Sequence, residues 1–166
     1  MSAHRRQLGA TYLLMLFAVA ALGLGLARFG SLWATAAQRE REVELIFIGG
    51  EFARAIASYR AAGPAATRDG PQELEDLLLD PRFPFVRRHL RKLYRDPMSG
   101  QADWLVERQG GRIVGIRSRS ARVALRRSAL PGWVDSGAAV PGEARHADWL
   151  FRPDDGAAAQ LGRLPR

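Results

Sequence analysis

Leu8-Gly9-Ala10-Thr11-Tyr12-Leu13-Leu14-Met15-Leu16-Phe17-Ala18-Val19-Ala20-Ala21-Leu22-Gly23-Leu24-Gly25-Leu26-Ala27 carries no charge, and its reading decides the fold. As a helix rising about 1.5 Å per residue it spans about 30 Å, the thickness of a bilayer's hydrocarbon core. The pattern predicts a membrane-spanning helix over residues 8–27, anchored by Tyr12, Leu13, Leu14, Phe17, Leu22 and Leu26. A buried core helix seldom runs this far without a polar face. A cleaved secretory signal would use Ala34-Thr35-Ala36, yet the apolar run is longer than such signals and Arg28 stands between. Ala21/Gly25 and Gly23/Ala27 are small-residue pairs that permit close helix contact. Phe29 and Trp33 suit a headgroup boundary.

Working outward, no proline occurs before Pro64, so nothing forces the helix to stop after the apolar run. Leu45, Ile48, Phe52, Ile56 and Tyr59 recur at steps of three and four, one helical face that needs a cover. Residues 38–42, Gln-Arg-Glu-Arg-Glu, read as helical and solvated. Gly49-Gly50 is the weak point, at about 1 kcal/mol per glycine relative to alanine. Gly63-Pro64 ends the helix near Ala62. The expected organisation is a leader over 1–9, a long helix over 10–62 with its amphipathic half at 38–62, a small head over 63–152, and a loose tail over 153–166.

In the head, Pro71 opens a short helix predicted over 72–79, with acids in its first turn. A second is predicted over 86–94, with Val86, Leu90 and Leu93 inward and Arg87, Arg88, Arg91 and Lys92 outward. Asp96-Pro97-Met98-Ser99-Gly100 is a turn. Residues 104–108, then Gln109-Gly110-Gly111, then 112–118 read as a β-hairpin with one wet face. Residues 123–125 and 146–152 are further strand candidates, the latter placing Trp149 and Phe151 on one face; 131–142 reads as a loop. The fold class is α+β: one long helix on a small antiparallel sheet.

Charge is segregated. The net charge is +8, but residues 82–127 hold thirteen cations against three carboxylates, a net +10, while 28–80 carry a net −3. A basic block meets nucleic acid, anionic lipid or an acidic protein surface. The chain has no cysteine, which excludes disulfides, thiolate metal sites and cysteine nucleophiles. His4, His89 and His146 are scattered, no serine lies in a G-x-S-x-G context, and Gly110-Gly111 lacks the lysine of a phosphate loop. Asp96 and Asp103, with loop carbonyls, are the candidate oxygen ligands for a calcium ion; a turn-capping Asp96 and a solvated Asp103 are the preferred reading, and no cofactor is expected. Phe85, Tyr94 and Trp104 interleave with the cations, but all three are needed for the core, so nucleic acid is not the expected partner. No enzymatic activity is expected.

The layout resembles type IV pilin-like proteins, particularly the pseudopilins of type II secretion. A basic leader ends in Gly9, and the apolar helix follows at once. The likeness extends over residues 5–120 through Ala36-Ala37-Gln38-Arg39-Glu40-Arg41-Glu42, Phe47-Ile48-Gly49-Gly50-Glu51-Phe52, Leu74-Glu75-Asp76-Leu77-Leu78 and Arg88-His89-Leu90-Arg91-Lys92-Leu93-Tyr94. It continues through Asp96-Pro97-Met98-Ser99-Gly100, Asp103-Trp104 and Gly111-Arg112-Ile113-Val114-Gly115. The resemblance implies cleavage after Gly9 by a prepilin peptidase, with Ala10 as a methylated new N-terminus. It implies a single-pass inner-membrane protein with its head in the periplasm, whose partners are other pseudopilins and a secretion assembly platform. The family usually has Phe or Met first and Glu fifth after the cut; here Ala10 and Leu14 stand there. An absent fifth-position Glu points to a minor or accessory subunit. The competing expectations are an unprocessed bitopic scaffold and a DNA-binding uptake pilin. The candidate basic interaction surface is Arg87, Arg88, Arg91 and Lys92, and the head cations are expected to pair with acidic faces of neighbouring subunits or exported cargo.

Overall fold

A computed structural model describes residues 4–63, 69–126, 128–137 and 143–154, without the side chains of 4–9 and 26–32. The leader cleavage at Gly9, the anchor role of Leu26 and the tail from 155 onward lie outside the described residues. Helix α1 runs His4–Ala62. The chain divides into two units, Met1–Arg39 and Glu40–Arg166.

In the first unit the apolar side chains face outward: Tyr12, Leu13, Leu14, Phe17 and Leu22 are all more than half exposed, as is Trp33. The expected membrane span is corrected here. Among the described residues no helix is long and apolar enough to cross a membrane, so the single-pass inner-membrane assignment, and the bitopic scaffold with it, is not supported.

In the second unit α1 is the spine of the core. Leu45, Phe52 and Ile56 are fully buried, with Ile48 and Tyr59 nearly so. Burial extends around the helix to Ile46, Gly49, Gly50, Ala53 and Ala55, leaving Val43, Glu44, Phe47, Arg54 and Ser58 as a narrow exposed stripe. Against this spine lies a four-stranded antiparallel sheet in the order β1-β2-β4-β3, with β1 Leu105–Gln109, β2 Arg112–Arg117, β3 Val134–Asp135 and β4 Leu150–Phe151. β1 and β2 form the expected hairpin. Gly110 and Gly111 have φ of 58° and 77°, the paired positive values a two-residue type I′ turn needs. Glu107 pairs with Gly115 and Arg108 with Ile113, so Val114 is a bulge without a partner. The bulge changes the phase of the strand and puts both Ile113 and Ile116 into the core.

Several local expectations give way to tertiary bonding. The helix at 72–79 contracts to a 3-10 turn, Leu74–Leu77, capped by the Asp76 carboxylate, which accepts from the Gln72 and Glu73 N–H groups. Residues 86–94 form no helix, because the N–H groups of His89 and Leu90 donate to the Leu77 carbonyl instead. At 123–125 there is a single bridge, Val123 to Arg145. The strand expected at 146–152 is a 3-10 turn, His146–Asp148, followed by β4, and β3 falls inside the expected loop. Trp149 and Phe151 are both fully buried.

The glycine pair at 49–50 is not merely a weak point. Gly49 faces the ring of Phe151, and a Cβ at Gly50 would lie 3.0 Å from Trp133 Nε1. Two aromatic rings rest on helix backbone where side chains would exclude them.

Candidate functional site

Four features stand out: one exposed apolar surface and three clusters of polar side chains. The first is the run 10–25 of α1, whose large apolar side chains are exposed among the described residues. Isolated exposed apolar residues are ordinary, but a contiguous patch marks an interaction surface.

The second is the basic segment 80–95. Its base is closed by the Asp80 N–H donating to the Arg87 carbonyl at 3.0 Å. Inside, the Asp80 carboxylate is fully buried and takes a fork from Arg82, with Nε to Oδ1 at 2.8 Å and a terminal N–H to Oδ2 at 2.6 Å. Arg82 also donates to the Tyr59 carbonyl at 2.7 Å and stacks 3.6 Å above the Tyr59 ring. His89 joins through Nε2, 3.2 Å from Asp80 Oδ2, and its Nδ1 is bonded to Ser58 Oγ at 2.8 Å. A buried charge is tolerated only when paired and fully hydrogen-bonded, and this one is. The Arg82 guanidinium holds the Asp80 carboxyl down at about 2, while burial pushes the Tyr59 phenol up.

Ser58, His89 and Asp80 have the residue types of a nucleophilic relay. Asp80 is nevertheless saturated by Arg82, and Ser58 stands within α1, where backbone N–H groups are spent on the helix rather than aimed at an oxyanion. The row works as a brace between α1 and the basic segment. Its pH dependence has a definite sign. Asp80 has a depressed folded-state pKa, so its contribution is complete above about pH 4 and is lost as pH falls through about 2. The unfolding free energy should therefore drop by on the order of 2 kcal/mol across that window. Asp80→Asn should remove this acid limb in urea titrations; an unchanged limb would contradict the assignment.

Of the predicted basic surface, Arg88, Arg91 and Lys92 are exposed, while Arg87 is half-buried with its guanidinium 4.7 Å above the Phe83 ring. Lys92 lies 5.1 Å from the Tyr94 ring. The aromatics considered for nucleic acid separate: Trp104 is buried, donating its indole N–H to the Tyr94 carbonyl at 2.9 Å and packing on Phe52, whereas Phe85 is exposed. A stacking platform is not assembled from them.

The third feature is the 96–103 turn. Asp96 is fully buried, and its carboxylate accepts from the Met98 N–H at 2.8 Å and the Ser118 hydroxyl at 2.7 Å. Asp103 is half-exposed and paired with Arg119 at 2.7 Å. The two carboxylates serve different partners, and among the described residues no group of three or more His, Asp or Glu is arranged to hold a metal ion.

The fourth was hidden in a charged run. Glu42, expected in solvent, is 2% exposed. Its carboxylate accepts from the Leu125 N–H at 2.7 Å, the Arg126 N–H at 3.0 Å and His146 Nε2 at 2.9 Å. One helix side chain thus fastens the loop at 125–126 and the turn at 146. The signal was available: residue 42 lies three before Leu45, in phase with the buried face.

With this geometry in hand, comparison with known proteins gives no match to any family model, curated protein or solved structure.

Proposed function

We propose that the chain is a non-enzymatic, pseudopilin-like subunit of a type II secretion or related type IV pilus-like assembly, entering a short filament as a minor or accessory subunit. The observation that carries this reading is the exposed apolar run of α1. Phe17 is 78% exposed and Leu14 73%, in a helix whose later part is the spine of an α+β head. At about 25 cal/mol per Å² such a surface is costly in water. Helices of neighbouring subunits are the natural cover, and the small residues Ala18, Ala21 and Gly25 let them approach closely. The sequence motifs that resemble those of pseudopilins support the same conclusion. Leu14 offers no carboxylate to a neighbour's N-terminal amine, in keeping with an accessory rather than a major subunit.

In this reading the work is mechanical. The helix enters the bundle, the head lies at its surface, and the assembly platform supplies the driving motion. The exposed cations Arg88, Arg91 and Lys92 are available to acidic neighbours. Intact-mass measurement on protein purified from cells with an active prepilin peptidase tests the processing step. The expected product lacks residues 1–9 and carries one methyl group on Ala10; an unprocessed chain would contradict the reading.

A further inference from the structure

Independently of the filament reading, we infer that the segment 79–95 is a preorganised docking tip for an anionic lipid surface. Three observations converge. First, the tip is rigid. The Asp80–Arg87 backbone bond closes it, the Asp80–Arg82–His89 network fills it, and Pro81 and Pro84 fix φ on either side of Phe83.

Second, its outward residues are apolar without being required by the core. Phe85 is 60% exposed, Val86 70% and Leu79 55%, and Phe83 leans against Phe85 with ring centroids 5.4 Å apart. A loop that only had to fold would turn polar residues outward there.

Third, the charge around those residues has one sign. Between residues 80 and 95 the only carboxylate is Asp80, and it is buried against Arg82 and His89. Arg88, Arg91, Lys92 and Arg95 are exposed, with Arg87 beside them over Phe83. Glu75, on the neighbouring 3-10 turn, is the nearest exposed acid in sequence.

Exposed apolar residues followed in sequence by exposed cations fit the boundary of an anionic bilayer. The apolar tips enter the headgroup region and the cations meet phosphates. Such a contact is made at the surface and uses no spanning helix. An acidic protein would also match the charge, but it would leave Phe85 and Val86 in need of a complementary pocket. A lipid boundary supplies apolar cover without one.

The test uses the full chain, whose lack of cysteine lets a single Val86→Cys carry an environment-sensitive fluorophore. It is mixed with vesicles of phosphatidylcholine alone, vesicles with phosphatidylglycerol added, or an acidic polyglutamate peptide. The proposal expects a blue-shifted, brighter signal only with phosphatidylglycerol, weakening steeply with salt. Each surface cation contributes roughly fivefold to partitioning, so Arg88→Gln/Arg91→Gln/Lys92→Gln should weaken the response roughly a hundredfold. The same response on neutral vesicles would mean that apolar attraction alone is at work and would overturn the proposal. A response to polyglutamate but not to vesicles would assign the tip to an acidic protein. Silence in all arms would also overturn it. None of these outcomes bears on processing at Gly9 or on filament entry.

Discussion

Glu42→Ala is expected to destabilise the second unit by about 3–5 kcal/mol, the range for removing one partner from a buried, hydrogen-bonded charge site. The substitution would leave the Leu125 and Arg126 N–H groups and His146 Nε2 without their shared acceptor, all within hydrogen-bond distance of a side chain that is 2% exposed. His146 is fully buried and its Nε2 would lose its partner outright, while the two backbone donors are part-buried. Glu42→Gln keeps one carbonyl acceptor but turns an amide N–H₂ toward donors, so it should fall between alanine and wild type. Urea unfolding followed by tryptophan fluorescence measures the shift, and limited proteolysis should open the chain near residues 120–150 first. A loss below about 1 kcal/mol for Glu42→Ala, typical of a solvated helix glutamate, would contradict the clamp.

The second large effect reverses a rule of helix propensity. Glycine to alanine inside a helix ordinarily gains about 1 kcal/mol. At Gly49 the new Cβ would fall within the Phe151 ring, which is itself fully buried between helix and sheet. Gly49→Ala is therefore expected to cost at least about 3 kcal/mol, the upper range for overpacking a tight core. Gly23→Ala, with open space around it, is the matched control and should show no such loss. If the two substitutions behaved alike, the close approach of β4 to α1 would be wrong.

These two positions also show what the sequence makes legible. The apolar spacing from Leu45 to Tyr59 and the Gly110-Gly111 hairpin declare themselves because their patterns are local: a period near 3.6 in one case, a positive-φ turn in the other. Glu42 is in phase with the same face, but its chemistry suggests solvent until the distant partners at 125, 126 and 146 are known. Gly49 reads as a defect until Phe151 is placed against it. Strands β3 and β4 are two residues each, too short for any alternation to register. The helix expected at 86–94 had an acceptable pattern, yet Leu77 captured its backbone donors. The lack of charge in the apolar run suggests a membrane span, but among the described residues no helix is long and apolar enough to cross a membrane.

The basic segment was legible as charge and not as shape. The division of its cations into Arg82, half-buried as a brace, and Arg88, Arg91 and Lys92, left on the surface, depends on Asp80 folding back under the loop. A residue-by-residue charge tally treats these side chains alike. The fold gives one of them a structural role and the others an outward one.

Under the proposed function, the apolar part of α1 is covered by helices of neighbouring subunits. A photo-reactive benzoylphenylalanine in place of Phe17, irradiated in cells that express the assembly, tests it most directly. The expected result is a ladder of protein adducts whose mass spectra map to N-terminal helices of other subunits or of a second copy of this chain. A chain that remains uncoupled to any protein from position 17 would contradict it.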